Sequence, residues 1–136
     1  MPLLIVKVAP LQNPEHYRAI AQGLTALSTE ILDKRPEVTT VVVDDLPQAR
    51  WAIGGLVPER PVATLEIHIT AGTNTPAQKA AFVAQAHACL NRLVGQGQGL
   101  AEASYVLVHE LPATDWGYGG HTQAARRLAR EAQALV

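Results

Sequence analysis

The sequence predicts an α/β (α+β) protein built from two β-α-β units in tandem, which together give a four-stranded mixed sheet with two helices on one face. Three observations support this fold. Apolar runs typical of strands alternate with amphipathic runs typical of helices. The order strand, helix, strand occurs twice, and each unit closes on the same short motif, as expected for an internal duplication.

The first unit covers residues 2–57. Leu3 to Val8 is a short apolar run and predicts a strand buried on both faces or nearly so. Asn13-Pro14 begins a helix, because Asn suits the N-cap and Pro the first helical position. That helix ends before Arg35-Pro36. Val38 to Val43 is rich in β-branched residues and predicts a second strand, parallel to the first since a helix connects them. The helix has one apolar stripe, formed by Ile20, Leu24, Leu27 and Ile31.

The second unit covers residues 61–120 and repeats this pattern. Val62 to Ile69 alternates apolar and polar residues and predicts a strand with one wetter face. Asn74-Thr75-Pro76 begins the second helix, Gly95 to Gly99 is a flexible turn, and Ser104 to Glu110 is the fourth strand. The second helix has a stripe with the same spacing as the first, formed by Phe82, Ala86, Cys89 and Leu93.

Each unit closes with a Trp-x-x-Gly-Gly motif, beginning at Trp51 and at Trp116. Matching motifs at corresponding places are the strongest sign of duplication. Residues 121–136 follow the second motif and predict a terminal helix. Its three arginines, Arg126, Arg127 and Arg130, are expected to be solvated. We therefore expect a single domain made of two repeats and a C-terminal helix.

Composition narrows the classes of function. The chain has 136 residues, 48% of them hydrophobic, with a formal net charge of -1. This near-neutral balance predicts neither a nucleic-acid partner nor a membrane partner, and it favours a small-molecule ligand. The single Cys89 cannot form an internal disulfide. Neither a secretory signal nor an apolar span of about 18 residues is seen, so a cytoplasmic location is expected.

Oligomerisation is expected from the composition of the predicted sheet. Two helices cover only one face of a four-stranded sheet, and the aromatic content of 4% leaves little bulk for the other face. A homo-oligomer would cover that face with a second copy of the chain.

The combination of Met-Pro, a β-α-β unit of about sixty residues and an aromatic-x-x-Gly-Gly closure resembles the 4-oxalocrotonate tautomerase branch of the tautomerase superfamily. The tandem arrangement resembles the fused forms of that branch. The resemblance implies a tautomerase-like fold assembled as a trimer. It also implies keto-enol tautomerisation of small unsaturated 2-hydroxy or 2-oxo acids, or of phenylpyruvate-like enols, without a metal or organic cofactor.

Pro2 is the predicted general base. An α-amino group titrates at roughly 7.7–8.0, and burial beside apolar groups lowers that pKa toward neutrality. Removal of Met1 would make Pro2 a secondary amine with a rigidly held lone pair. With Met1 retained, Pro2 is an amide without basicity.

The family's substrate-binding arginines are absent at the matching positions. Those positions hold Gln12 and Thr40 in the first unit, and Thr73 and Tyr105 in the second. The family's aromatic pocket residue is matched by Trp51 and by Trp116, although packing in the core or at an interface is an equal alternative for each tryptophan. Arg50 and Arg60 are candidate replacements for the arginines, and solvated charges are the alternative. The predicted substrate-binding residues are Gln12, Arg50, Trp51, Thr73, Tyr105 and Trp116.

His68 and His109 lie on the third and fourth predicted strands and are expected to share a polar face. Without a third ligand at metal spacing, they are interpreted as hydrogen-bonded structural histidines. Two other functions stay open. One is a superfamily hydratase, dehalogenase or decarboxylase, and the other is a non-catalytic oligomeric binding protein.

Overall fold

The computed structural model, which describes residues 1–135, contains the four-stranded mixed sheet predicted from the sequence. Three α-helices and a short hairpin complete the fold. In chain order the elements are β1 (Leu3–Ala9), α1 (Pro14–Leu32), β2 (Thr40–Asp45), β3 (Val62–Thr70), α2 (Pro76–Leu93), β4 (Val106–Leu111), β5 (Gly117–Tyr118), β6 (His121–Thr122) and α3 (Gln123–Ala134).

The sheet has the order β2-β1-β3-β4. Within each unit the strands are parallel, with Leu3 opposite Thr40 in the first and Leu65 opposite Val106 in the second. Between the units, β1 and β3 are antiparallel, with Leu3 opposite His68. The predicted parallel pairing inside each unit is therefore confirmed, and the two units are related by a pseudo-twofold axis.

Both long helices begin at the predicted caps. The Asn13 side chain accepts a hydrogen bond from the backbone N–H of His16 at 3.1 Å. Thr75 and Gln78 form a reciprocal capping box at the start of α2. A proline occupies the first turn of each helix, where its missing N–H costs no helical hydrogen bond. Asp33 ends α1 in a left-handed conformation, with φ of 57°.

The core lies between one face of the sheet and the two helices. Phe82 is its largest fully buried side chain. The expectation that β1 is buried on both faces is wrong. Leu4, Val6 and Val8 are buried, whereas Lys7 is exposed. Both helices pack on the same side of the sheet, so within residues 1–135 of one chain the other face of β1 has no covering layer.

Three elements begin later than the sequence predicts. β2 begins at Thr40 rather than Val38, because Pro36–Val38 forms a 3₁₀ turn. β4 begins at Val106 rather than Ser104. The terminal helix was predicted over 121–136 and occupies Gln123–Ala134, since His121 and Thr122 pair with the preceding strand. Residue 136 lies outside the described residues.

Each Trp-x-x-Gly-Gly motif makes a tight reversal of the chain. Gly54 and Gly55 have φ of 60° and 80°, and Gly119 and Gly120 have φ of 62° and 81°. These positive values are the geometry of a two-residue hairpin turn, which glycine adopts without strain. Among residues 1–135, no helix is both long and apolar enough to cross a bilayer.

Candidate active site

A cavity of about 330 Å³ lies where the chain enters the sheet, at the amino end of β1. Met1 forms one wall. The end of α1, from Leu32 to Arg35, forms a second wall, and Thr70 and Thr73 close the carboxyl end of β3. The first turns of α3 complete the site through Gln123, Arg127 and Arg130.

Basic side chains dominate this cavity. Among residues 1–135, its lining contains four cations and one carboxylate, Asp33. The Lys34 ammonium donates a hydrogen bond to Thr73 Oγ1 at 3.0 Å. The Arg35 guanidinium pairs with Glu37 at 3.0 Å, and both side chains are more than half exposed. The four cations are Lys34, Arg35, Arg127 and Arg130. The cavity therefore suits a small anion.

The N-terminal amine faces this basic environment. Burial, followed by the charges of Lys34, Arg35 and Arg130, lowers the pKa of the Met1 α-amine from 8.0 to about 6. Each cause disfavours the ammonium form, because burial removes water and nearby cations repel a further positive charge. Burial also lowers the pKa of the Lys34 ammonium, against the opposing effect of Asp33 and Glu110.

Pro2 is buried directly behind Met1. Its backbone carbonyl accepts a hydrogen bond from Thr40 N–H at 3.1 Å, which fixes the residue at the start of the sheet. With Met1 attached, the Pro2 nitrogen is an amide. Met1 lines the cavity, so the Pro2 nitrogen lies one bond from a residue on the cavity wall.

Two other predicted residues belong to this end of the molecule. Thr73 lines the cavity and donates a hydrogen bond to the Thr70 carbonyl at 2.7 Å. Trp116 lies behind the wall, where its indole N–H donates to Thr70 Oγ1 at 3.2 Å. Trp116 also accepts a backbone hydrogen bond from Gln123 at 2.9 Å. This tryptophan therefore connects the end of β3 to the start of α3.

Within one chain, Gln12 lies at the opposite end of the sheet. The seven residues of β1 separate it from the N-terminus by roughly 20 Å. Its side-chain oxygen is 2.9 Å from His16 Nδ1, and its backbone N–H donates to Asp45. Gln12 lines a second cavity of about 320 Å³ at that end.

The remaining predicted residues, Arg50, Trp51 and Tyr105, also lie away from the N-terminal cavity. Arg50 is exposed in a 3₁₀ turn, and Trp51 directly follows that turn. Tyr105 is 65% exposed. It lines an open depression together with Ile53 of the first hairpin. Within a single chain, Thr73 therefore lies at the N-terminal cavity and Trp116 contacts its wall. Arg50, Trp51 and Tyr105 lie outside the cavity.

His68 and His109 stack on the outer face of the sheet, with ring centroids 4.8 Å apart. His68 Nδ1 lies 3.1 Å from the Leu3 carbonyl, and His109 Nε2 lies 3.0 Å from a Glu66 oxygen. The interpretation of both as hydrogen-bonded histidines is confirmed.

The expectation of three solvated arginines on the terminal helix holds for Arg127 and Arg130, which are exposed, and is wrong for Arg126. The Arg126 guanidinium lies 3.8 Å from the Tyr118 ring centroid and donates to the Tyr118 carbonyl at 2.8 Å. Arg127 and Arg130 are exposed but line the cavity. The backbone N–H of Gln123 at the start of α3 donates a hydrogen bond to the Trp116 carbonyl beside the second hairpin. This contact orients the helix so that Arg127 and Arg130 line the N-terminal cavity. Sequence reasoning also missed Lys34. The one usable signal was the helical spacing of Arg127 and Arg130, which puts both on one face.

Comparison with known proteins agrees with this architecture. The family model described as tautomerase enzyme matches residues 2–60, which cover the first unit. Comparison with the curated proteins finds no significant match. A solved wild-type fused 4-OT, which forms an asymmetric trimer, is 25% identical, with a TM-score of 0.78 over 91% of this chain and 98% of that one.

Two further structures share the fold. Native fused 4-OT is 24% identical, with a TM-score of 0.76 over 94% of this chain and 99% of that chain. A malonate semialdehyde decarboxylase inhibited by 3-bromopropiolate is 19% identical, with a TM-score of 0.72 over 95% and 96% of the respective chains.

The match over the first unit and these structural similarities define the class: the first unit is recognised by the tautomerase family model, and the chain has the fold of the tautomerase superfamily. Its tandem arrangement, in which both units form one continuous sheet, is that of the fused, 4-oxalocrotonate tautomerase-like form.

Proposed function

We propose that this protein is a cofactor-independent keto-enol tautomerase, an isomerase that acts on small unsaturated 2-hydroxy or 2-oxo acids or on phenylpyruvate-like enols. Pro2 is the general base once Met1 has been removed. The observation that carries the proposal is the position of the N-terminus in a basic cavity where the pKa of an α-amine falls to about 6.

Removal of Met1 changes the cavity in two useful ways. The space occupied by Met1 becomes available to substrate, and the nitrogen of the buried Pro2 becomes the N-terminal amine. The burial and cations that lower the pKa of the Met1 amine then act on a secondary amine one residue further inside. A neutral amine at neutral pH is the form that accepts a proton.

The reaction follows from this placement. Pro2 takes the proton of the substrate's 2-hydroxyl group as the C2–O electrons form the keto carbonyl. The electrons of the substrate double bond then take the proton back from the Pro2 ammonium at carbon. Negative charge on the 2-oxygen and the carboxylate is stabilised by the cations at the end of α1, Lys34 and Arg35. Lys34, which donates a hydrogen bond to Thr73, is the better candidate for binding the 2-oxygen. Among the neighbouring charges, Lys34 lowers the pKa of the terminal amine most.

The proposed assembly is a homotrimer. In the part of the chain that the structure describes, one face of the sheet has no helical layer, and Val42 on that face is 47% exposed. Hairpin residues Leu56 and Val57 are 74% and 54% exposed. A fused 4-OT of the same fold is a trimer. Trimer formation would cover these apolar surfaces, and it would give Gln12, Arg50, Trp51 and Tyr105 a route into a pocket shared between chains. Sedimentation of the purified protein as a stable monomer would contradict this assembly.

The cations of the cavity also favour a second candidate, a non-catalytic binding protein for small anions. In that protein Met1 is retained and Pro2 is an amide. The likeness to a decarboxylase leaves another superfamily reaction, such as decarboxylation, hydration or dehalogenation, as a different outcome for the same site.

The test begins with the intact mass of the purified protein and continues with ketonisation of 2-hydroxymuconate and of the phenylpyruvate enol. In Met1-free protein, chemical blocking of the Pro2 amine removes the base and should lower kcat/KM about 100-fold or more, since a positioned general base contributes about 10²–10⁴-fold. Pro2→Ala replaces the rigid secondary amine with a flexible primary amine and should lower kcat/KM by a smaller factor. Pro58→Ala, in the connector before the far end of β3, is the matched control and should retain wild-type rates. Retention of Met1, or equal activity in both variants, would remove the proline mechanism and favour the binding protein.

A further inference from the structure

The second cavity, at the far end of the sheet from the N-terminus, is the counterpart of the N-terminal cavity in the second repeat. Its volume is about 320 Å³. We propose that it is a binding site for a small uncharged carboxamide, held by the side chains of Gln12, His16 and Gln96. Binding at this site is independent of the proposed tautomerase reaction.

The tandem repeat explains why a cavity occurs at each end of the sheet. Each cavity lies where the chain enters a strand, before β1 in one case and before β3 in the other, and each is bordered by the end of a long helix. Gln96 follows Phe82 of α2 at the same distance along the chain as Lys34 follows Ile20 of α1, so Gln96 and Lys34 occupy matching positions. The antiparallel pairing of β1 with β3 puts the two entry points at opposite ends of the sheet.

The chemistry of the second cavity differs from that of the N-terminal cavity. Within residues 1–135, its lining contains no lysine, arginine, aspartate or glutamate. Gln96 occupies the position that Lys34 has in the N-terminal cavity, and Pro61 lies within the chain, so it supplies no free amine. The carboxylate of Asp45 accepts a hydrogen bond from the Gln12 backbone N–H at 3.2 Å, which puts a negative charge close to the cavity. The site therefore favours an uncharged ligand over an anion.

Three side chains of this cavity compete for hydrogen bonds. His16 Nδ1 lies 2.9 Å from the Gln12 side-chain oxygen and 3.1 Å from Gln96 Nε2. The amide oxygen only accepts and the amide nitrogen only donates, whereas Nδ1 of a neutral imidazole does one or the other. Nδ1 therefore pairs with only one of the two amides at a time. The other amide loses this partner, and a ligand can replace it.

The Nδ1–H tautomer of His16 defines the ligand. In this tautomer Nδ1 donates to the Gln12 oxygen, at the shorter of the two distances. The Gln12 amide is held in that orientation because its Nε2 donates to the Pro10 carbonyl at 2.6 Å. Gln96 then offers an N–H donor, and Nε2 of His16 is an acceptor. A carboxamide has a carbonyl acceptor beside an N–H donor, so it supplies a partner for each, whereas a carboxylate has no donor for the imidazole nitrogen.

Apolar side chains form the rest of the lining. Pro61 and Val94 line the cavity and are buried, whereas Pro10 and Leu11 line it and are exposed. Apolar walls with a few convergent polar groups are typical of small-molecule sites. The volume of about 320 Å³ and these walls suit a carboxamide with a small hydrophobic body, such as benzamide.

The test compares benzamide with benzoate, which has nearly the same shape but carries a negative charge. Each is titrated near neutral pH into ¹⁵N-labelled protein, and binding is followed by NMR. Benzamide should shift the backbone signals of Gln12, His16 and Gln96 and should bind this site about 10-fold more tightly than benzoate does. The ring nitrogen shifts of bound His16 should be those of the Nδ1–H tautomer. Benzamide shifts confined to the N-terminal cavity, or benzoate binding the second cavity as tightly as benzamide, would overturn the proposal.

Substitutions test the side chains directly. His16→Ala/Gln96→Ala should lower benzamide affinity about 5- to 100-fold, the range expected for two neutral hydrogen bonds. The matched control, His87→Ala/Gln85→Ala, removes the same residue types from exposed positions of α2 outside the cavity and should bind benzamide like the wild type. An equal loss in the control would overturn the proposal.

A second variant keeps the test decisive if the double variant fails to fold. Gln96→Glu preserves the size of an exposed side chain but replaces the amide donor with an acceptor. It should lower benzamide affinity about threefold or more, because the ligand carbonyl loses its donor. Gln85→Glu adds the same charge on α2 and is its control. Unchanged benzamide affinity in Gln96→Glu, or no benzamide binding by the wild type, would reject the site.

Discussion

The pKa of the N-terminal amine offers the most direct test of the electrostatics of the cavity. In the chain that carries Met1, this pKa is about 6, lowered from 8.0 by burial and then by Lys34, Arg35 and Arg130 in that order. We predict that Lys34→Gln raises it. Removing a neighbouring cation lowers the cost of a second positive charge, so the ammonium form becomes more favourable.

The size of the change follows from the order of the causes. Lys34 contributes less than burial does, so it accounts for at most half of the fall from 8.0 to about 6. The variant should therefore titrate above about 6 and no higher than about 7. Lys7→Gln is the control, because Lys7 is exposed and lies five residues, roughly 17 Å, along the extended chain from Pro2.

Titration of the ¹⁵N-labelled terminal amine by NMR measures this pKa without relying on activity. The intact mass of each sample establishes which residue carries the amine. An ordinary wild-type value near 8, or a pKa that moves in Lys7→Gln and not in Lys34→Gln, would refute the reasoning. In Met1-free protein the same cations act on Pro2, so Lys34→Gln should move the acidic limb of kcat/KM toward higher pH.

Three further predictions concern stability. Between pH 6 and pH 8 the unfolded chain carries more protons on the Met1 amine than the folded chain does. The free energy of unfolding should therefore rise with pH across that window. Chemical blocking of the amine should abolish this component of the rise. Phe82→Ala should lower the free energy of unfolding, measured in urea, by about 3–5 kcal/mol, because Phe82 is fully buried between the helices and the sheet. An effect under about 1 kcal/mol would mean that the core closes around the cavity left by the substitution. Gly117→Ala should open the second hairpin and lower the free energy of unfolding, because a Cβ there would overlap the His121 carbonyl oxygen. Gly54→Ala, the control in the first hairpin, meets no atom within 4 Å and should cost only the backbone strain of its φ of 60°.

Much of the fold was predictable because its signals are local. The caps at Asn13 and Thr75 and the prolines that follow them define where both long helices begin. The apolar stripes correctly placed both helices against one core. Boundaries were harder to predict. The β-branched run that starts at Val38 predicts a strand from that residue, but Val38 ends a 3₁₀ turn, and the two residues before α3 pair in a hairpin.

The candidate site was less predictable because its parts are distant in the chain. Pro2 and Thr73 were selected from the resemblance and lie at the same end of the sheet. Lys34, Arg127 and Arg130 were not selected, since a helical pattern shows which residues share a face but not what that face contacts. Gln12 occupies a matching position in the repeat, yet within one chain it lies at the other end of β1.

The sequence by itself determined the two units, their internal parallel pairing and the helix starts, because hydrophobic periodicity, capping and proline placement act over a few residues. Only the tertiary structure decided what surrounds the N-terminus. The antiparallel pairing of β1 with β3 places the start of one strand beside the end of the other, at His68 and Thr70. The second hairpin then directs α3 toward the same cavity. The cations that define the candidate site therefore come from segments more than ninety residues apart, joined by packing that no local pattern specifies.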